Sequence, residues 1–498
     1  MASLFQMGMR RALLQLPKAS SSAFVCRQCL HRAAAPAVAA SARTSTASVA
    51  ASQPSMLAQI MRSRGFATTT KRKTSAVASL GSEIPASTST AAASNAGKKA
   101  FPETNARSVG LWLLGSAVSV FGIVVWGGLT RLTESGLSIT EWRPVTGSLP
   151  PRSPEDWESE FTKYRASPEF ALLNPNMTLD EFKKIYFMEW FHRVWGRVIG
   201  VTFVLPAVYF VARRRVTARM AWNLLGISSL IGFQGFIGWW MVKSGLKDDL
   251  FAPGSHPRVS QYRLTAHLAT AFVCYSWMLV SALAVLRTHR LLADPAAGLK
   301  ALTALQNPGL RTFRRLAAAL TALIFTTAMS GALVAGLDAG LIYNEFPMMG
   351  QGLAPPKSEL WSRFYCRRED GSDLWWRNML ENPSLVQLDH RILAVTTFTA
   401  VLSLWAFSRR ARLAAILPRG ARKGTMGLVH LVCMQAALGI TTLIYMVPLP
   451  LAALHQAGAL ALLTGALVLG HRLRVPKSTL MMIQRRLKEA AAAQAKKA

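Results

Sequence analysis

The chain has 498 residues, half of them apolar, and a formal net charge of +33. That length allows two or more domains, and so basic a chain would suit nucleic acid if its charge were spread over a soluble surface. Instead the basic residues gather in an N-terminal segment and at the ends of long apolar runs, with no aromatic-interleaved patch, which excludes a nucleic-acid binder.

Residues 1–82 carry eleven Lys/Arg and no acid, the first being Glu83. Rich in Ser, Ala and Arg, the start of the chain reads as a mitochondrial transit peptide over 1–66, cut near Phe66, with a matrix-side linker over 67–107. Cys26 and Cys29 stand in C-R-Q-C-L-H with His31, one residue longer than a c-type haem attachment site, and are read as coincidence. Of the other three cysteines, Cys274 and Cys433 lie inside apolar runs and are read as core, while Cys366 is alone in a polar loop. No disulfide framework follows.

Eight apolar runs then cover roughly 108–129, 187–212, 221–242, 264–286, 316–337, 386–407, 424–447 and 450–470. Each is close to the ~20 residues a helix needs to cross the hydrocarbon, so the chain is expected to be all-α and polytopic. Arginines and lysines crowd every second connection: before span one, between two and three, four and five, six and seven, and after span eight. By the positive-inside rule those connections and both termini face the matrix. Two long loops, about 130–185 and 338–384, then face the intermembrane space.

The chain also resembles itself. G-G-L-T-R-L-T-E-S-G-L-S-I-T-E-W from Gly127 returns as G-A-L-V-A-G-L-D-A-G-L-I-Y-N-E-F from Gly331, 204 residues later. Spans three and seven each carry Gln-x-x-x-Gly, at Gln234/Gly238 and Gln435/Gly439. Four spans per copy make the copies parallel, as in some transporters. They are expected to form two four-helix bundles, 108–310 and 311–475, followed by a basic tail over 476–498. Such bundles can hold a cofactor in their cores.

Four of the nine histidines, His192, His267, His390 and His455, open the even-numbered spans from the outer side. Counting residues to the next matrix-side arginine puts all four roughly 25–32 Å from that edge at 1.5 Å per residue. Two imidazoles at equal depth on parallel helices can straddle a flat macrocycle, as six-coordinate haem iron requires. His192 with His267 makes one candidate pair, and His390 with His455 the other, all four as iron ligands. Zinc is disfavoured, because no third or fourth ligand stands at suitable spacing in either half. The remaining histidines fit no pattern.

The two openings read E-W-F-H-R and Q-L-D-H-R. Arg193 and Arg391 either offset propionate charge or anchor the interface. Glu189 and Gln387 stand three residues before their histidines, on the same helical face. A titratable carboxylate in one pocket and its uncharged near-isostere in the other suggest a reacting site and an electron-transfer site. In an apolar pocket that carboxylate would suit proton transfer.

On these residues the chain resembles the haem A synthase family from about 107 to 475. The resemblance rests on G-G-L-T-R-L-T-E-S-G-L-S-I-T-E-W-x-P-V-T-G-S-L-P-P, E-x-x-H-R, D-H-R, and the histidines of T-A-H-L and L-H-Q. It implies a multi-pass enzyme of the mitochondrial inner membrane that oxidises haem O to haem A in support of cytochrome c oxidase. A permanent haem b would lie between His390 and His455 beside Arg391. Substrate haem O would lie between His192 and His267 beside Arg193, with Glu189 as the essential carboxylate. A ring methyl would become a formyl through successive hydroxylations, with oxygen from water. Besides the lipid bilayer, haem O synthase, a ferredoxin-type redox partner and a second copy of the chain are the partners to expect. Many bacterial relatives carry a cysteine pair in an outer loop that this chain lacks. The rival readings are a non-enzymatic bis-histidine dihaem electron carrier and a parallel-repeat transporter.

Overall fold

A computed structural model describes residues 100–143, 146–147, 149–251 and 256–496. The expected transit peptide and the Cys26/Cys29 motif lie outside the described residues. So does the linker up to residue 99.

Eight helices are long and apolar enough to cross a membrane. They are α1 (Arg107–Leu132), α2 (Leu179–Ala212), α3 (Ala218–Val242), α4 (Gln261–Ala293), α5 (Arg311–Gly336), α6 (Pro383–Ser408), α7 (Arg419–Ile444) and α8 (Leu449–Leu473). A ninth long helix, α9 (Lys477–Ala495), follows, and no strand occurs among the described residues. In lipid a backbone must bond within its own segment, which makes the helix the natural form for such runs.

α2 begins eight residues before the apolar run expected from 187. The reason is polar: Thr178 and Glu181 close a capping box that nucleates the helix in the outer loop, before the membrane begins. α7 ends three residues earlier than expected, because Met446 and Val447 take left-handed backbone (φ 60° and 57°) to make the short turn into α8.

α1, α2, α3 and α4 close a ring of neighbours, each packed on the next and α4 back on α1. α5, α6, α7 and α8 do the same, and the rings meet where α4 touches α5 and α8, and α1 touches α8. A continuous core runs through the membrane-spanning helices, with Leu113, Phe203, Ile227, Met278, Phe313 and Leu460 nearly inaccessible. The opposite faces of α2 and α3 expose Val201, Leu205, Val208, Trp222, Phe233 and Phe236. On a soluble protein that would be a large apolar patch; here it is the lipid face. Cys274 is buried, but Cys433 is exposed on α7 and is not core. Both faces of a membrane helix are apolar, so hydropathy cannot separate core from lipid-facing positions.

The outer loops carry a small core of their own. Helix Pro154–Arg165 packs on α2, and Phe161, Tyr164, Phe182 and Tyr186 cluster there. Phe182 stacks on Phe161 and Tyr164 with ring centres 5.0 and 5.2 Å apart. Across the outer face, Asp338 accepts from Arg131 at 2.6 Å and from Arg258 at 3.1 Å, which links the two rings of helices. Residues Glu134 and Asp338, 204 apart, both adopt left-handed backbone (φ 51° and 52°) just beyond α1 and α5.

Candidate functional site

Each of the four histidines enters the interior beside a glycine on a neighbouring helix. A Cβ placed on Gly127 of α1 would lie 2.9 Å from Cε1 of His192, and one on Gly331 of α5 would lie 3.1 Å from Cε1 of His390. For Gly238 of α3 against His267 the distance is 3.1 Å, and for Gly439 of α7 against His455 it is 2.8 Å. Real Cβ atoms do not sit comfortably this close, so the glycines are the room in which the rings lie.

The Gln-x-x-x-Gly pattern acquires a second purpose. One turn before its glycine, Gln234 Nε2 donates to the backbone oxygen of His267 at 2.9 Å, and Gln435 Nε2 to that of His455 at 2.8 Å. α3 and α7 thus give their histidines both space for the ring and a donor for the carbonyl, while α1 and α5 give the space.

The structure brings the rings together in two pairs. His192 and His267 have ring centres 6.5 Å apart, and His390 and His455 have theirs 6.4 Å apart. An imidazole bound to a metal through one nitrogen puts its ring centre roughly 3.2 Å from the metal, about 2.0 Å of bond plus 1.2 Å within the ring. Two such rings on opposite sides of one metal have centres roughly 6.4 Å apart. Both pairs therefore fit a single two-histidine metal centre of the haem kind. No group of three or more His, Cys, Asp or Glu able to hold a metal occurs among the described residues.

Nδ1 of His192, His267 and His455 is buried without a hydrogen-bond partner, whereas Nδ1 of His390 lies 2.8 Å from Ser330 Oγ. A hydrogen bond on that nitrogen fixes the tautomer and strengthens a ligand imidazole.

Glu189 and Arg193 are one helical turn apart on α2 and form an ion pair, with Arg193 Nη2 2.6 Å from Glu189 Oε1. Arg193 Nε donates to the same oxygen at 3.0 Å, while Ser138 Oγ and Ile139 N donate to Oε2 at 2.7 and 2.8 Å. The apolar pocket expected for this carboxylate is therefore not what surrounds it. Glu189 is 3 % exposed, yet it accepts four hydrogen bonds, the set that suits an ionised carboxylate.

Arg193 is also committed to the preceding loop, donating to the carbonyls of Ile139 at 2.8 Å and Glu141 at 3.0 Å. In the second half Arg391 donates to the carbonyls of Tyr343 at 3.0 Å and Glu345 at 2.9 Å, each 204 residues beyond its counterpart. Both arginines thus clamp the loop that precedes their own helix. Gln387 donates to the carbonyls of Ala339 at 2.8 Å and Tyr343 at 3.3 Å, so it meets acceptors where Glu189 meets donors.

One residue passed over by sequence reasoning stands out. Glu169, in helix Pro168–Leu173 of the first outer loop, is 3 % exposed and its Oε2 has no partner. Burial pushes its carboxyl up to about 8, and the nearby charges of Glu189 and Glu134 add to the shift. In P-E-F-A-L-L nothing marks it: a glutamate in a first helical turn is an ordinary dipole complement.

A sequence model of the cytochrome oxidase assembly protein family, COX15-CtaA, matches residues 110–467. The heme A synthase COX15 of Saccharomyces cerevisiae is 52% identical over 373 residues, covering 75% of this chain and 76% of that protein. A heme A synthase-mitochondrial ferredoxin fusion protein of Schizosaccharomyces pombe is 52% identical over 371 residues, 74% of this chain and 60% of the fusion. The heme A synthase COX15 of Homo sapiens is 45% identical over 381 residues, 74% of this chain and 84% of that protein. With the match spanning both ring pairs and the loops that hold them, the chain belongs to the COX15-CtaA cytochrome oxidase assembly protein family.

Proposed function

We propose that the chain is a haem A synthase of the mitochondrial inner membrane, converting haem O to haem A for cytochrome c oxidase, with both termini in the matrix. The observation that carries this reading is the two histidine pairs, at 6.5 and 6.4 Å, in a chain of this family. In this reading His192 and His267 hold the substrate haem O. His390 and His455 hold a resident haem b, with Ser330 orienting His390.

Two imidazoles on the substrate's iron leave it no open position, so reaction is directed to the edge of the ring. A methyl group and one water give a hydroxymethyl group, two protons and two electrons. A second round gives a geminal diol, which loses water to leave the formyl. The resident haem b, when bound, supplies one-electron transfer. Glu189 contributes a fixed negative charge three residues from His192, held in place by Arg193, Ser138 and Ile139. Such a charge stabilises the electron-poor methyl carbon that water attacks, and it is preorganised at no cost during the reaction. Arg193 and Arg391 keep the outer loops closed over the two sites.

The fused ferredoxin of the Schizosaccharomyces pombe relative supports a ferredoxin-type one-electron partner. Haem O synthase is the natural donor of substrate. Extraction and chromatography of the haems that co-purify with the full chain test the reading. Haem b together with haem O or its oxidised products is expected; haem b alone under haem O supply would leave a dihaem electron carrier instead.

A further inference from the structure

Glu169 sits in the outer loop above the first histidine pair, on a short helix that packs against helix Pro154–Arg165 and the turn Asp248–Phe251. Its carboxyl is shut away from water, one oxygen lacks any partner, and the other interactions are with Tyr164, Glu189, Glu134 and Arg131. From helix Pro154–Arg165 the group facing it is the Tyr164 hydroxyl, which itself accepts from Asn174 Nδ2 at 3.0 Å. The turn contributes Asp248 and Asp249, both exposed. Arg131, whose positive charge acts on Glu169, pairs through Nη2 with Asp338 at 2.6 Å, and its buried Nε has no hydrogen-bond partner.

An ionised carboxylate needs donors on both oxygens or a cation of its own, and burial without them is costly. Glu189, its neighbour, has four donors; Glu169 has an empty oxygen and like charges around it. Two adjacent carboxyls in such unequal surroundings divide their charge unequally.

We propose that Glu169 is the protonated partner of Glu189, so that at neutral pH the pair carries one negative charge, placed on Glu189 beside the substrate site. This rests on the proposed function for its consequence, though not for its charge state. Glu169 is then a positioning residue: its neutrality leaves Glu189 the ionised member. As pH rises through about 8, Glu169 ionises and sets a second negative charge against Glu189.

Infrared difference spectroscopy of the purified full chain, wild type minus Glu169→Gln, tests this without any turnover. At pH 7 a value near 8 leaves roughly ten carboxyls protonated for each ionised one. The protonated-carboxyl stretch should appear in the difference and fade as pH passes about 8. Glu189→Gln removes one of the neighbouring negative charges that hold the Glu169 carboxyl up, so it should move that fading to lower pH. Should Glu169→Gln not fold, Tyr164→Phe serves, because losing its hydrogen bond shifts the same band in frequency. No protonated-carboxyl band at pH 7, or a band whose titration ignores Glu189→Gln, overturns the proposal. In membranes, the high-pH loss of haem A formation should move upward in Glu169→Gln. If Glu189→Gln made normal haem A while the band behaved as described, the functional reading would fail and the charge assignment would stand.

Discussion

The two halves of the chain solve one problem with opposite chemistry. In the first, the loop after α1 offers Glu189 a backbone N–H and a serine hydroxyl. In the second, the loop after α5 turns two carbonyls toward Gln387. The arginine one turn on clamps corresponding carbonyls in both. The Glu/Gln exchange therefore answers to the backbone each side chain meets, and one half ends with a buried carboxyl among donors where the other ends with an amide facing carbonyls. In the proposed reading, that local packing requirement and a division of labour between two sites would be served by the same exchange.

The comparison can be broken most completely at the rings. His390→Ala or His455→Ala should abolish the low-spin absorption of the resident haem, while His192→Ala should leave it and remove haem O; an unchanged spectrum of the first two would refute the ligand assignment. Next, Glu189→Gln should keep the b-type spectrum but stop formyl production, with haem O or a partly oxidised haem accumulating in extracts. The reciprocal change, Gln387→Glu, would face a carboxylate with two carbonyl oxygens and cost about 1–3 kcal/mol. It should lower the thermal midpoint in detergent and loosen the second outer loop toward proteolysis, and an unaltered midpoint would count against the loop account.

The glycine contacts sharpen the comparison further. Gly439→Ala and Gly127→Ala, with the closer ring contacts of 2.8 and 2.9 Å, should each cost about 1–3 kcal/mol by overpacking. Gly238→Ala and Gly331→Ala, at 3.1 Å, should cost less. The width of the haem absorption bands would report the displaced imidazoles. Smallest is Gln234→Ala or Gln435→Ala, each removing one hydrogen bond worth about 1 kcal/mol; a double variant that lost no stability would deny the carbonyl contact any weight.

The helices were legible in the sequence because an apolar run of membrane length has one regular structure available to it. Their ends were less so where polar chemistry outside the bilayer decides, as with the Thr178 cap and the Met446–Val447 turn. The histidines were legible because they recur at one depth on four spans. What could not be read was which way each loop presents its backbone, since that depends on φ and ψ beyond Glu134 and Asp338. Hence the sequence suggested an apolar setting for Glu189, and the donors from Ser138 and Ile139 came only with the fold. Glu169 was invisible for the same reason: its isolation is made by Tyr164 and Glu189, five and twenty residues away.

A further contact across the boundary between the halves lies deeper in the helices. Gln456, next in sequence to His455, donates to the carbonyl of Val124 on α1 at 2.8 Å. It does so over Gly128, where a Cβ would fall 1.8 Å from its side-chain oxygen. The adjoining residue, Gly127, is the wall of the His192 ring. A rivet at this point forbids α1 and α8 from sliding past each other. In the proposed reading it would also help set the spacing between the two clamps, the quantity on which an electron's hop from one to the other would most steeply depend.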